Sequence, residues 1–238
     1  MKRKSAERIV REVRDSYNAI AGEFSDSRAQ FWPELAPLAD NIASGSSVLD
    51  LGCGNGRFAP LILAKGGLYT GIDLSSGLLA HARATHKEAT FLEGDARSLP
   101  FPHSKFDHVF SFALFHHIPS TVFRHDAMKE AYRVLRPGGT LTLTVWDLWQ
   151  KKFFSALFRG ALGGLFGKSA LDPGDALLTF GKRKIPRYVH AFTEHELQTL
   201  TSESGFQDCT TSIILRPSGY ANILLVANKP YEDSRDSD

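Results

Sequence analysis

Val48-Leu49-Asp50-Leu51-Gly52-Cys53-Gly54-Asn55-Gly56 is a short apolar run that breaks into three alternating glycines. Glycines in alternation let the backbone turn sharply and let a ligand lie against it without Cβ atoms in the way. A nicotinamide-binding loop would read G-x-G-x-x-G, but the sixth position from Gly52 is Arg57, which disfavours a dehydrogenase.

Working outward, further short apolar runs end in Gly or Asp and alternate with helical stretches. The strands expected are 48–51, 68–73, 90–93, 108–112 and 140–146, with helices near 56–65, 76–86 and 125–136. Arg136-Pro137-Gly138-Gly139 reads as the stop of the last of these helices. Such spacing implies a parallel sheet covered on both faces. Ile9, Val10, Val13, Tyr17 and Ile20 mark an amphipathic helix over 5–21. A helix near 194–203 precedes two strands, 208–215 and 220–227, joined by the turn Arg216-Pro217-Ser218-Gly219. The expected architecture is α/β, a doubly wound, mostly parallel seven-stranded sheet with an antiparallel C-terminal hairpin. One domain over 1–230 is expected. Within it, 1–44 form a helical cap and 147–190 a lid insertion at the C-terminal edge of the sheet, where open α/β sheets bind ligands. Residues 231–238 read as a disordered acidic tail.

The composition fits a soluble cytoplasmic protein. Of 238 residues 42% are hydrophobic and 23% charged, with 28 Lys and Arg against 26 Asp and Glu. Cys53 and Cys209 make neither a disulfide framework nor, lacking C-x-x-C, a structural zinc site. The charged opening has no apolar core behind it, so no signal peptide is expected, and no apolar run approaches the roughly 18 residues of a spanning helix. A net charge of +2 does not by itself declare a nucleic-acid binder. Residues 151–190, however, carry Lys151, Lys152, Arg159, Lys168, Lys182, Arg183, Lys184 and Arg187 against Asp172 and Asp175. This stretch is either an ordinary soluble surface or a phosphate-binding face.

Asp73 ends the second strand 23 residues after Asp50, where a carboxylate can accept both hydroxyls of a ribose. Asp95 ends the third strand, and Phe112-Ala113 ends the fourth. Each Asp alone reads equally as a helix cap. Together with Asp50-x-Gly52-x-Gly54-x-Gly56, they resemble the class I S-adenosylmethionine-dependent methyltransferases, a Rossmann-like family, over residues 45–146. The resemblance implies S-adenosylmethionine as cofactor, held by Asp50, Gly52, Gly54, Gly56, Asp73, Leu74, Asp95, Ala96, Phe112 and Ala113. In it the Asp95 side chain takes the adenine amino group, and the Phe112-Ala113 backbone wraps the methionine half.

Further segments narrow the resemblance. Tyr17, Ile20-Ala21, Phe24-Ser25-Asp26-Ser27-Arg28 and Trp32-Pro33 precede the sheet. His116-His117 follows the fourth strand, and Asp175-Ala176-Leu177-Leu178-Thr179-Phe180 and Arg187-Tyr188-Val189-His190-Ala191-Phe192 follow later. These resemble the tRNA wobble-uridine (5-carboxymethyluridine) methyltransferases, although Thr179-Phe180 stands where that family has Pro-Trp. The resemblance implies methyl-ester formation on the carboxymethyl side chain, tRNA as partner and a small zinc-binding activator subunit. The alternative is a small-molecule methyltransferase acting on a quinone-like or other hydrophobic acceptor, and a third reading is a cofactor-binding subunit without catalysis.

A carboxylate acceptor is already ionised at neutral pH and needs orientation rather than a base. Arg28 suits that role because a guanidinium grips two oxygens at once; its ordinary reading is a surface pair with Asp26 or Glu23. His116 would bond the substrate, or act as base for a nitrogen or carbon nucleophile, while His117 packs or bonds backbone. Asp175 and His190 are carried over from the resemblance, and each also reads as a cap or loop residue. The other histidines show no ligand spacing, so no metal is expected. Phe153, Phe154, Leu157, Phe158, Ala161, Leu162, Leu165 and Phe166 form an apolar stripe, read as a helix over 153–166 packed on the sheet. Its alternatives are a membrane-surface or partner contact, without integral membrane contact.

Overall fold

Val48, Leu49 and Leu51 have no exposed surface, and only a strand covered on both faces can bury such a run. In the computed structural model, which describes residues 1–28, 30–165, 171–180, 184–217 and 219–231, that strand is β1 (Ser47–Leu51). It pairs in parallel with β2 (Leu68–Asp73) on one side and β4 (Phe106–Phe112) on the other. Beyond β2 lies β3 (Thr90–Glu93), and beyond β4 lies β5 (Leu135–Trp146). An antiparallel pair, β9 (Ala221–Asn228) and β8 (Gln207–Leu215), closes the far edge. The order β3-β2-β1-β4-β5-β9-β8 makes one seven-stranded sheet, the doubly wound arrangement of the class I methyltransferase fold. Its reversal between β1 and β4 opens a crevice at the strand C-termini.

Successive strand residues face opposite layers. Leu49, Val109 and Leu141 pack beneath α5 (Thr121–Val134) and α7 (Glu194–Ser202). Val48 and Phe110 pack with α3 (Ala59–Ala64), α4 (Ser76–Thr85) and the 3-10 turn Pro33–Ala39. Two more helices, α1 (Arg3–Ala19) and α2 (Ala21–Ser27), precede the sheet.

Two expectations change. Arg136-Pro137-Gly138-Gly139 does not follow a helix reaching 136; α5 ends at Val134 and these residues begin β5. Gly138, at φ +79°, lets its N–H donate to the Lys229 carbonyl, so pairing along β9 carries the strand back to the helix end. Residues 147–190 also hold a sheet of their own, the antiparallel pair β6 (Asp175–Phe180) and β7 (Ile185–His190). The apolar stripe lies on α6 (Phe154–Leu165), which packs through Ala156 and Leu157 on Ala176 and Val189 of this pair, leaving Phe154 and Phe158 exposed. Phe166, Lys168, Lys182, Arg183 and the tail 232–238 lie outside the described residues. No described helix is long and apolar enough to cross a membrane.

Gly71, in β2, marks how closely the glycine loop approaches the sheet. A Cβ there would stand 2.8 Å from Cys53 Sγ and 3.0 Å from the Phe91 ring. Gly71→Ala is expected to lower the unfolding free energy by about 1–3 kcal/mol through overpacking, read as a lower urea midpoint at unchanged m-value.

Candidate active site

The glycine loop leaves β1 in left-handed steps, with φ +70° at Gly52 and +56° at Gly54. The Gly52 and Cys53 amides both donate to the Ile72 carbonyl, at 2.8 and 3.1 Å, and Gly54 N–H donates to Asp73 Oδ2 at 2.9 Å. A Cβ on Gly54 would come no closer than 3.8 Å to Leu78 and 3.9 Å to Phe24, so it would fill open pocket space. Gly56 faces away from the pocket, against Phe91 and Ala82. Asp50 forms the floor. Burial pushes its carboxyl up to about 7 against the donated Tyr69 hydroxyl, and its Oδ1 is buried without a hydrogen-bond partner.

Asp73 accepts Gly54 N–H on one oxygen and Ser75 N–H on the other, leaving lone pairs on both for a diol. Desolvation raises its pKa, and the backbone donors oppose that rise. Gly52, Gly54, Leu74, Asp95, Ala96, Phe112 and Ala113 share the wall with Asp50 and Asp73. The cradle at Gly54, the open lone pairs of Asp73 and the orphaned oxygen of Asp50 fit a nucleoside cofactor with a polar tail. Asp95 lies on this wall but is gripped by a neighbouring cation. Its Oδ1 accepts Arg97 N–H and Nε, its Oδ2 accepts Nε and Nη2, and Arg97 also reaches Glu7. Three N–H groups of Arg97, with Nε shared between both oxygens, thus occupy most of the carboxylate, leaving about one acceptor position.

The other half of the pocket is lined by Tyr17, Arg28, Phe31, Trp32, Arg57, His117, Trp146, Arg187 and Arg216. His116 is not on this wall. Its ring is fully buried between His117 and Trp146, at centroid distances of 4.3 and 4.5 Å, and burial holds its pKa well below the usual histidine range. The two neighbours separate because Phe115–His117 is a 3-10 turn, whose consecutive side chains point about 120° apart. His117 Nδ1 lies 2.8 Å from the Tyr188 carbonyl, which only accepts, so Nδ1 carries the proton. Nε2 therefore accepts the Tyr17 hydroxyl at 2.8 Å, and that oxygen accepts Arg187 Nη1 at 3.1 Å. Burial first, then Arg187, pushes the His117 pKa down to about 3. His117 stays neutral with both nitrogens engaged.

Asp175 and His190 are brought together, but away from this wall. They face each other across β6 and β7, with His190 Nδ1 2.8 Å from Asp175 Oδ1 and His190 Nε2 2.8 Å from Glu196 Oε1 on α7. Tyr188 O–H and Asp172 N–H also donate to Asp175. Burial works against charge on His190, yet the bonds to both carboxylates lift its pKa above the usual value. The pair pins β7 to α7 and thereby holds Tyr188 and Arg187 in place. Because the folded pKa is raised, the stabilisation is full below the unfolded value of about 6.5 and fades as pH rises through the folded value. Urea titrations across that range should show stability falling with pH in the parent chain, and this component absent in His190→Gln.

Sequence reading quoted Tyr17, Trp32, Arg57 and Arg187, the last also in a basic stretch that could face phosphate, but assigned none of them a place in the site. Arg216 carried no signal beyond its turn.

Residues 49–143 match a family described as a methyltransferase domain. A methyltransferase-named protein of Encephalitozoon cuniculi is 35% identical over 83% of this chain and 88% of its own length. The tRNA (carboxymethyluridine(34)-5-O)-methyltransferase of Arabidopsis thaliana is 36% identical over 57% of this chain, which spans only 32% of that relative. A SAM-dependent methyltransferase structure from Methanosarcina mazei aligns with TM-score 0.71 at 23% identity, covering 85% of this chain and all of that one. A methyltransferase in complex with the Haloferax volcanii Trm112 activator aligns with TM-score 0.68 at 20% identity, over 94% of this chain and all of that one. With a glycine cradle and a carboxylate at the crevice that fit S-adenosylmethionine, and a relative similar along most of its length, this chain belongs to the class I S-adenosylmethionine-dependent methyltransferases.

Proposed function

We propose that this enzyme methylates the carboxymethyl side chain of a tRNA wobble uridine to its methyl ester. One observation carries the reading: arginines from four separate segments line the acceptor half of the pocket, while its histidine has no basic nitrogen to offer. When bound, S-adenosylmethionine supplies an electrophilic sulfonium methyl, open to in-line displacement. A nitrogen, phenol or carbon nucleophile would need a base there. A carboxylate, ionised above a pKa of about 4, needs only to be held.

Arg28 and Arg187 are assigned to the acceptor carboxylate, with Tyr17 between them. Desolvation lowers the Arg28 pKa, and Arg187 and Arg216 add to that against Tyr17, so an incoming anion relieves repulsion. From the segment 147–190, Arg187 on β7 reaches the wall of this half of the pocket. Asp50, Asp73 and Leu74 hold the cofactor with the backbone at Gly52, Gly54, Ala96, Phe112 and Ala113. The identity to tRNA-modifying relatives supports the choice of acceptor, and the resemblance adds a small activator subunit as a candidate partner.

Nucleoside mass spectrometry of tRNA from a strain lacking this chain should show carboxymethyluridine accumulating and its methyl ester lost; an unchanged profile would refute the proposal. In vitro, kcat/KM should stay flat from about pH 6 to 8, and Arg28→Ala should lower it roughly tenfold to a hundredfold through loss of a charge-assisted contact. A histidine limb near pH 6.5 with little loss in Arg28→Ala would exclude a carboxylate acceptor. Asp73→Ala should weaken S-adenosylmethionine binding by a similar factor in calorimetry, with the unfolding midpoint showing the variant folded.

A further inference from the structure

We propose that Arg57, Trp32 and Arg216 form a second anion subsite, which takes a phosphate group of the acceptor nucleotide. This inference rests on the proposed reaction and adds to the acceptor a recognition element beyond its carboxylate.

Trp32 is 8% exposed, and two guanidinium groups reach its ring. The Arg57 carbon lies 3.7 Å from the ring centroid and the Arg216 carbon 4.7 Å. Stacking on an indole fixes a guanidinium plane and leaves its N–H edge free to grip paired oxygens. The three residues come from distant parts of the chain. Trp32 precedes the first 3-10 turn, Arg57 follows the glycine loop, and Arg216 follows β8 at the far edge of the sheet. All three line the pocket that holds Arg28 and Tyr17.

The charges are unbalanced at Arg57. Arg216 Nε is paired with Glu34 at 3.0 Å, but no carboxylate stands within ion-pair distance of Arg57 among the described residues. Burial, then Arg28 and Arg216, pushes the Arg57 pKa down to about 9, so a further anion beside it would be stabilising. Asp50 acts on Arg57 from the floor, but its carboxyl is drawn toward protonation by its own burial. A carboxymethyl nucleoside brings one negative charge, which Arg28 and Arg187 accommodate. Two further guanidiniums on one indole match a tetrahedral oxyanion with several acceptor oxygens, as a nucleotide phosphate is.

The test compares uridine 3′,5′-bisphosphate with uridine by calorimetry on the full chain at low ionic strength. Arg216→Gln should weaken bisphosphate binding roughly tenfold and leave uridine unchanged. Glu34→Gln, which removes the carboxylate competing for Arg216, should tighten bisphosphate binding. If both variants weaken it alike, or neither alters it, Arg216–Glu34 is a structural pair and the subsite is refuted. A parallel assay measures methylation of carboxymethyluridine nucleoside and of an anticodon stem-loop. Arg216→Gln should raise KM for the stem-loop and spare the nucleoside; equal effects on both overturn the subsite. If the parent chain binds bisphosphate through Arg216 yet methylates neither acceptor, the subsite stands and the proposed reaction falls. If it methylates both but phosphate affinity ignores Arg216, the reaction stands and the subsite falls.

Discussion

Because β1 is hydrogen-bonded in parallel to β2 on one side and to β4 on the other, the loops leaving β1 and β4 diverge. The crevice between them is therefore a consequence of strand order and needs no separate device to hold it open. What must be controlled is the glycine loop, which would otherwise drift into the gap. The Gly52 and Cys53 amides on the Ile72 carbonyl, and the Gly54 amide on Asp73, tie it to the end of β2. The same bonds aim the Asp73 carboxylate, so the loop and the carboxylate assigned to the ribose by the proposed function are positioned together.

The acceptor half is built differently, from side chains held by other side chains. Arg187 donates to Tyr17, Tyr17 donates to His117, and His117 donates to the Tyr188 carbonyl. Tyr188 in turn donates its hydroxyl to Asp175, which His190 and Glu196 anchor to α7. A histidine with both nitrogens committed acts as a spacer rather than a proton carrier. The buried ionic pair Asp175–His190 thus serves the site at one remove, by fixing the strand that carries Arg187. Clustered arginines are tolerated here because Trp32, Phe24 and Glu34 partner them. Burial first, and then one another's charge, hold the Arg28 and Arg57 pKa values below the usual arginine range.

The sheet and the glycine loop were legible in the chain because their determinants are local. A doubly buried strand shows as an unbroken apolar run, and the left-handed backbone at Gly52 and Gly54 shows as glycine. The β6–β7 pair was not legible. Asp175, Arg187 and His190 are polar residues made burial-competent by tertiary partners, Tyr188 and His190 for Asp175, Glu196 for His190 and Tyr17 for Arg187, and Pro186 interrupts the usual strand signal. Adjacent His116 and His117 are chemically alike in sequence, and only the direction of a 3-10 turn decides that His117 meets the pocket. Asp95 is bonded by its near neighbour Arg97, and only the fold adds Glu7 of α1 on the far side of that guanidinium.

By itself, then, the sequence determined the alternation of strands and helices, the glycine loop and the acids at the strand ends, since each follows from steric and apolar patterns spanning a few residues. The tertiary structure alone decided which charges converge. Arg28, Arg57, Arg187 and Arg216 meet only because remote strand edges and helix ends close over one crevice. Electrostatic interaction depends on distance through space, and distance through space is set by long-range chain closure.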